Sequence, residues 1–341
     1  MIQIFSLENC IQNYDWGSET AIADFLEKPP LQREAELWMG AHPKAPSKIT
    51  LNGGEKISLD KWISSNPLEI LGETIDKKFK QLPFLFKLLA AEKPLSIQSH
   101  PNIAQAQEGF KRENRLNIPL NSPKRNYKDS NHKPEIICAL SEFWALNGFR
   151  KISDIVNNFE CLDDNILNEQ IKILQNNPEE KGLKLLLKNI MSLSNKETIQ
   201  TVNNVVNYSK KQKQENPLYY WILKLNEEFP NDIGVLFPLV LNLIKLKPTE
   251  GMFLQSRVLH SYLKGFAIEL MANSDNVLRG GLTKKHIDIQ ELLKILDFQS
   301  FTPEILKPLS ISTYESLYKI PIEDFSLSKI VVNKNDCYKG I

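Results

Sequence analysis

The apolar positions of this chain change their spacing along its length. From Met1 to about Arg150 they fall in short runs broken by Gly, Pro, Asn and Asp, with an Asn52-Gly53-Gly54 turn signal, a pattern that predicts strands with a few helices. The run that begins at Pro83 is too rich in Leu and Phe to assign by period. Leu95-Ser96-Ile97-Gln98-Ser99-His100 and Ile136-Ile137-Cys138-Ala139-Leu140 read as strands. Between Lys151 and about Lys245 the stripe becomes helical: Leu167, Ile171 and Leu174 stand at i, i+4 and i+7, and Leu183, Leu186, Leu187 and Ile190 repeat it. Strand character returns over Gly251 to Leu263. Gly280-Gly281 reads as a turn, Ile289 to Leu296 as a short helix, and Ile320 to Val332 alternates loosely. A helical domain inserted between strand-rich parts is therefore expected.

Charge removes some classes of function. The 341 residues carry 42 Lys and Arg against 41 Asp and Glu, a net charge of +1, which leaves no excess of cations to neutralise a nucleic-acid backbone. No apolar run reaches the roughly 18 residues of a membrane-spanning helix, and Met1 to Gly17 lacks the basic start and apolar core of a signal peptide. A cytoplasmic location is expected. Cys10, Cys138, Cys161 and Cys337 are scattered with no C-x-x-C and are expected to be reduced thiols.

Candidate chemistry gathers in three places. Gln98 and His100 are two apart on an expected strand and so share a face, although a Gln-x-His pair is more often a polar pair on a solvated face. Asn131-His132-Lys133-Pro134-Glu135 runs directly into an apolar strand, as a site at a sheet mouth would and as a hydrated surface loop also can. The third place holds Leu259-His260-Ser261-Tyr262, Glu269, and Asn273 to Thr283, where the bland reading is a turn with an exposed Arg279. Two His, one Glu and one Gln make an N/O ligand set that suits zinc with a position left for water or substrate. The same two-His, one-carboxylate core also suits Fe(II) in an oxygenase. His132 stands close enough to Glu135 to support a ligand, whereas His42 and His286 read as surface or structural positions.

Five stretches then match one family: Gln12-Asn13-Tyr14-Asp15-Trp16-Gly17, Glu36 to Pro43, Leu95 to Asn102, Asn131 to Glu135, and Met271 to Thr283. On these the chain resembles the type I phosphomannose isomerases over nearly its whole length. The resemblance implies a mainly β fold with a helical insertion: a cupin-like, jelly-roll catalytic domain at 1–150 and 246–312, an α-helical domain at 151–245, and a partial C-terminal jelly roll at 313–341. It implies one zinc per chain, with Gln98, His100, Glu135 and His260 as ligands, Arg279 as active-site arginine, and Lys87, Lys133, Glu269 and Asp275 lining the pocket. The implied reaction interconverts mannose 6-phosphate and fructose 6-phosphate through a cis-enediol. The acid/base role is left among Glu269, Lys133, Lys87, His132 and Asp275, with a shared role for Lys133 and Glu269 preferred.

Two departures from the family pattern, Pro248-Thr249-Glu250-Gly251 and Ser261, leave the site plausible. The ending at Ile341 implies a shortened third domain, and with it the rival reading of a non-catalytic sugar-phosphate-binding remnant. Ile320, Phe325, Ile330 and Val331 are then expected to lack partners, so that a monomer with a loosely held, self-associating C-terminal segment results.

Overall fold

A computed structural model describes residues 4–51, 53–212, 216–334 and 336–339. Its strands in chain order are β1 (Cys10–Gln12), β2 (Glu36–Gly40), β3 (Lys48–Thr50), β4 (Lys56–Ser58), β5 (Phe84–Ala91), β6 (Ile97–Ser99), β7 (Glu135–Ala139), β8 (Phe143–Phe149), β9 (Leu241–Leu246), β10 (Gly251–Leu254), β11 (His260–Ala272), β12 (Leu278–Gly281), β13 (Leu309–Ser310), β14 (Glu315–Tyr318) and β15 (Leu327–Ile330). The turn expected at Asn52 links β3 to β4, with Gly53 and Gly54 at positive φ; Asn52 itself lies outside the described residues.

The long strand β11 belongs to two antiparallel sheets. Its second half, Gly265–Ala272, lies between β5 and β7 in the order β1-β2-β5-β11-β7-β10. Its first half, His260–Lys264, lies between β6 and β8 in the order β12-β6-β11-β8-β9. The inner faces of the two sheets share one core of Leu89, Ala91, Ile137 and Ala139 against Phe143, Ala145 and Leu246. This is the jelly-roll sandwich of the expected fold class, and its alternation is regular. On β7, Glu135, Ile137 and Ala139 face inward while Ile136 and Cys138 face out.

Each sheet is backed on its outer face. Helices Ile152–Glu160, Asn165–Asn176, Glu180–Met191, Asn195–Gln212 and Pro217–Glu228 bury their apolar stripes together, and Leu146, Phe149, Leu263 and Leu278 of the second sheet join that core. The first sheet is backed by the small antiparallel sheet β13-β14-β15, whose Tyr318 and Leu327, with Phe325 of the β14–β15 connection, pack on Ile136, Cys138, Leu270 and Ala272. Among the described residues no helix is long and apolar enough to cross a membrane.

Several details differ from the expectations. Leu241 to Leu246 is a strand, because the helical run stops at Val240 and β9 pairs with β8. The stretch from Gly251 to Leu263 is split into β10 and the start of β11. Gly280-Gly281 is not a turn: both lie in β12, where the register shifts between Arg279 and Gly281. Near the C-terminus, Phe325 is only 7% exposed and Ile320 packs beside it, against the expectation of unpartnered faces. Ile330 and Val331 do stay exposed, at 46% and 56%.

Candidate active site

His260 opens β11, Glu135 opens β7, and His100 follows β6 by one residue. All three are buried, and their ligand atoms lie within 4.8 Å of one another. The hydrogen bonds of the imidazoles fix their tautomers. His100 Nδ1 meets the Asn276 carbonyl oxygen at 2.7 Å, and His260 Nδ1 meets that of Val258 at 3.0 Å. A carbonyl only accepts, so each Nδ1 carries the proton and each Nε2 presents a lone pair. Both Nε2 atoms are buried without a hydrogen-bond partner among the described residues, 3.4 and 3.5 Å from the two oxygens of Glu135.

Electrostatics keep this trio ready for a cation. Burial, reinforced by the charge of Lys133, lowers the His100 pKa; burial and the neighbouring His100 push His260 down to about 4. Both rings are thus neutral near pH 7. Burial works to raise Glu135, but Lys133 and the two histidines hold its carboxyl well below the usual range. Two bare nitrogens and one carboxylate in a dry interior, each ring steadied from behind by a carbonyl, have the chemistry of metal ligands. Gln98 stands directly opposite His260 across the sheet, and its amide makes no hydrogen bond among the described residues.

The register extends this row. Arg279 on β12, Gln98 on β6, His260 on β11 and Asn147 on β8 are successive cross-strand partners, and so point to one face. Arg279 is half-buried, burial lowers its pKa, and among the described residues it has neither a hydrogen bond nor an ion pair. The pKa of Lys285 is lowered by burial and by the charges of Arg279 and Lys44, so the unpaired guanidinium has further cations around it.

A second row crosses the other sheet. Trp38, Lys87 and Glu269 are partners on β2, β5 and β11. Lys87 Nζ lies 2.8 Å from Glu269 and 3.4 Å from Glu36, whose other oxygen accepts from Trp38 Nε1 at 2.7 Å. Burial pulls the Lys87 pKa down, yet Glu269 and Glu36 hold it above its usual value, so this lysine stays charged. Glu269 is raised by burial, with Lys87 opposing and Glu135 adding to the effect. Lys133 Nζ sits 2.5 Å from Glu135, and Tyr262 OH donates to the same carboxylate at 3.4 Å. Burial and the charges of Glu269 and Glu135 raise the Tyr262 pKa well above its ordinary value, which keeps the phenol a donor.

Two expected site residues are drawn elsewhere. Asp275 pairs with Lys44 at 2.8 Å and faces His42 at 3.6 Å; burial works against ionisation, but these partners hold its carboxyl far below the usual range. His42 is 3% exposed with its ring against Trp38, whereas His286 is exposed. His132 turns to Asp324, at 2.9 Å, rather than to the metal cluster. The sequence reading did not single out Glu36, Asn147, Lys44 or Lys285. Glu36 carries a findable signal, a carboxylate two residues before a Trp on one face of an otherwise apolar strand. Asn147 has none, although its Oδ1 is buried beside His260 and has no hydrogen-bond partner among the described residues.

Comparison with known proteins agrees with this geometry. The family model for the catalytic domain of type I phosphomannose isomerase matches residues 4–152, and that for the family's helical insertion domain matches residues 162–241. The mannose-6-phosphate isomerase of Salmonella typhimurium is 42% identical over 325 residues, 94% of this chain and 82% of that protein. Mannose-6-phosphate isomerase 2 of Arabidopsis thaliana is 33% identical over 95% of this chain and 78% of its own length. A crystal structure of a zinc-bound mannose 6-phosphate isomerase superposes with a TM-score of 0.87 at 40% identity, covering 95% of this chain and 82% of the other. With two family models over its body and this level of identity, the chain is a member of the type I phosphomannose isomerase family, and it is an isomerase.

Proposed function

We propose that the site is a zinc-dependent aldose–ketose isomerase centre that interconverts mannose 6-phosphate and fructose 6-phosphate. The observation that carries this reading is the pair of buried, unpartnered Nε2 atoms of His100 and His260 aimed at Glu135. Relatives named mannose-6-phosphate isomerases, one of known structure with zinc bound, support the choice of metal and substrate. His100, Glu135 and His260 would hold the ion, with the free amide of Gln98 as the fourth protein ligand. Bound there, zinc supplies Lewis-acid polarisation of the substrate oxygens.

The rest of the chemistry falls to the chain's own cations and carboxylates. The C2 proton leaves to a base while the aldehyde oxygen takes up charge and a proton. The resulting cis-enediol regains a proton at C1 and loses that of the C2 hydroxyl, leaving the ketone. Arg279, unpaired and accompanied by Lys285, meets negative charge on the substrate. Lys87, held positive by two carboxylates, adds a fixed charge beside Glu269. We assign proton transfer to Glu269 and Lys133. Burial raises the Glu269 carboxyl above its ordinary value, which strengthens it as a base, and Tyr262 interacts with it and with Glu135, the partner of Lys133. Asp275 and His132, committed to partners of their own, act as supports.

A coupled assay for fructose 6-phosphate formation, with and without chelator, tests the reading. Turnover that chelation abolishes is expected, and in deuterium oxide the sugar should acquire solvent deuterium at the exchanging carbon. Oxygen uptake with bound iron and no ketose product would replace it with the oxygenase alternative.

A further inference from the structure

Among the described residues, the C-terminal segment meets the loop that leads into Glu135 through one side-chain hydrogen bond. Between β14 and β15, Asp324 is buried and accepts a hydrogen bond from His132 Nε2 at 2.9 Å. The carboxylate can only accept, so the ring proton sits on Nε2. The next residue after His132 is Lys133, whose ammonium lies 2.5 Å from Glu135. The loop that carries them is fastened on its other side as well. Asn131 donates to the Asn273 carbonyl, and its own carbonyl accepts from Asn276 Nδ2 at 2.8 Å. After Lys133, the Pro134 carbonyl accepts from Ala272 N at 3.0 Å. His132 is therefore the only residue of the stretch 131–135 that ties it to the C-terminal segment among the described contacts.

That segment is itself firmly seated. Phe325, adjacent to Asp324, and Leu327 pack with Tyr318 on Ile136 and Cys138, the outward residues of β7, whose inward residues begin with Glu135. Tyr318 OH, which accepts from Cys138 Sγ at 3.1 Å, donates to the Thr249 carbonyl at 2.7 Å. One sheet thus backs the strand that presents a metal-site carboxylate, and extends a carboxylate of its own to the loop that presents the adjacent lysine.

We propose that Asp324 is a positioning residue for the isomerisation: by fixing the His132 imidazole it sets the place of the Lys133 ammonium, and so makes the C-terminal sheet part of the catalytic apparatus. The inference rests on the isomerase reading above. Its physical basis is that misplacing a reacting or charge-bearing group by a fraction of an ångström costs rate while leaving binding nearly intact. Without the Asp324 carboxylate the loop keeps its fastenings at Asn131 and Pro134 and stays folded, but the His132 imidazole is free to turn.

The test is a double-mutant cycle on the full chain loaded with zinc. Asp324→Asn should lower kcat about tenfold or more with KM for mannose 6-phosphate within about twofold, zinc content unchanged, and Asp324→Glu should recover much of the loss. In a His132→Gln background the further change Asp324→Asn should have almost no effect. The 15N shifts of the His132 ring provide a readout independent of activity, with the proton on Nε2 in the parent chain and a changed tautomer or protonation pattern in Asp324→Asn. Asp324→Asn that lowers only Tm, or that costs as much kcat in the His132→Gln background as in the parent, overturns the proposal. A parent chain that binds zinc yet forms no fructose 6-phosphate overturns the isomerase reading and the inference together, a result distinct from an active parent with an additive cycle.

Discussion

Keeping a guanidinium half-buried and unpaired costs stability, because the charge loses hydration without gaining an anion. Arg279 is held in that state by β12, one cross-strand step from Gln98 and two from His260. The cost is understandable where the missing anion is the substrate. Replacing Arg279 by Ala should therefore leave zinc content unchanged and lower kcat/KM by about 10²- to 10³-fold, measured by the coupled assay beside metal analysis. Arg279→Lys should recover little, since an ammonium lacks the planar fork. Loss of zinc from Arg279→Ala would make the residue structural instead. Such residues show in the sequence because their motifs are short and local: Gln98 and His100 stand two apart, one within β6 and the other just past its end, and Glu135 follows Lys133 by two. Glu36, Lys44 and Lys285 do not, since their importance comes from the partners that distant strands and loops bring to them.

At the scale of the element, β11 does what a regular strand cannot. His260 and Tyr262 face the interior, and so do Ala267 and Glu269, although strict alternation would send one of these pairs outward. The pairing with β8 shifts between Tyr262 and Lys264, and Gly265 follows with φ of +136°. The irregularity absorbs one residue and resets the phase. A Cβ at Gly265 would also sit 2.6 Å from the Glu142 carbonyl oxygen. Gly265→Ala should destabilise the protein by about 2 kcal/mol or more, read from denaturant unfolding, and should impair metal retention as well, because His260 lies before the kink and Met271, the cross-strand partner of Glu135, lies beyond it. Retention of full zinc affinity and stability would show that the phase is set elsewhere. Periodicity predicts strand character up to Leu263 but not this reset, since the pattern Leu263-Lys264-Gly265-Phe266 is compatible with a strand, a bulge or a turn. The helical stripe is plainer, because five successive helices between Ile152 and Glu228 repeat one period. At Leu241 a short apolar run cannot be told from more helix without knowing that β8 waits for a partner.

At the scale of the molecule, the catalytic sandwich is supported from both sides, by helices on the second sheet and by β13-β14-β15 on the first. The C-terminal strands looked unpartnered in the sequence because a loosely alternating pattern says which residues want burial and not which surface receives them. The surface that receives Phe325 is the outer face of β7 and β11, whose apolar residues read equally well as interior ones. Phe325→Ala should cost about 3 kcal/mol of stability and sensitise residues 309–330 to protease, while the parent chain resists cleavage there as well as it does in the main sheets. Rapid cutting of the parent after Ser310 would show that the small sheet is not held. On the proposed function, one zinc held by His100, Glu135 and His260 is what makes this sandwich an isomerase. The most direct test is to strip the protein with chelator and follow mannose 6-phosphate turnover as zinc is returned in known equivalents, with the His260→Ala chain alongside. Activity should rise in proportion to zinc and level off at one equivalent per chain, and His260→Ala should neither retain zinc nor respond. Turnover that survives complete removal of metal, or full zinc loading of His260→Ala, would contradict it.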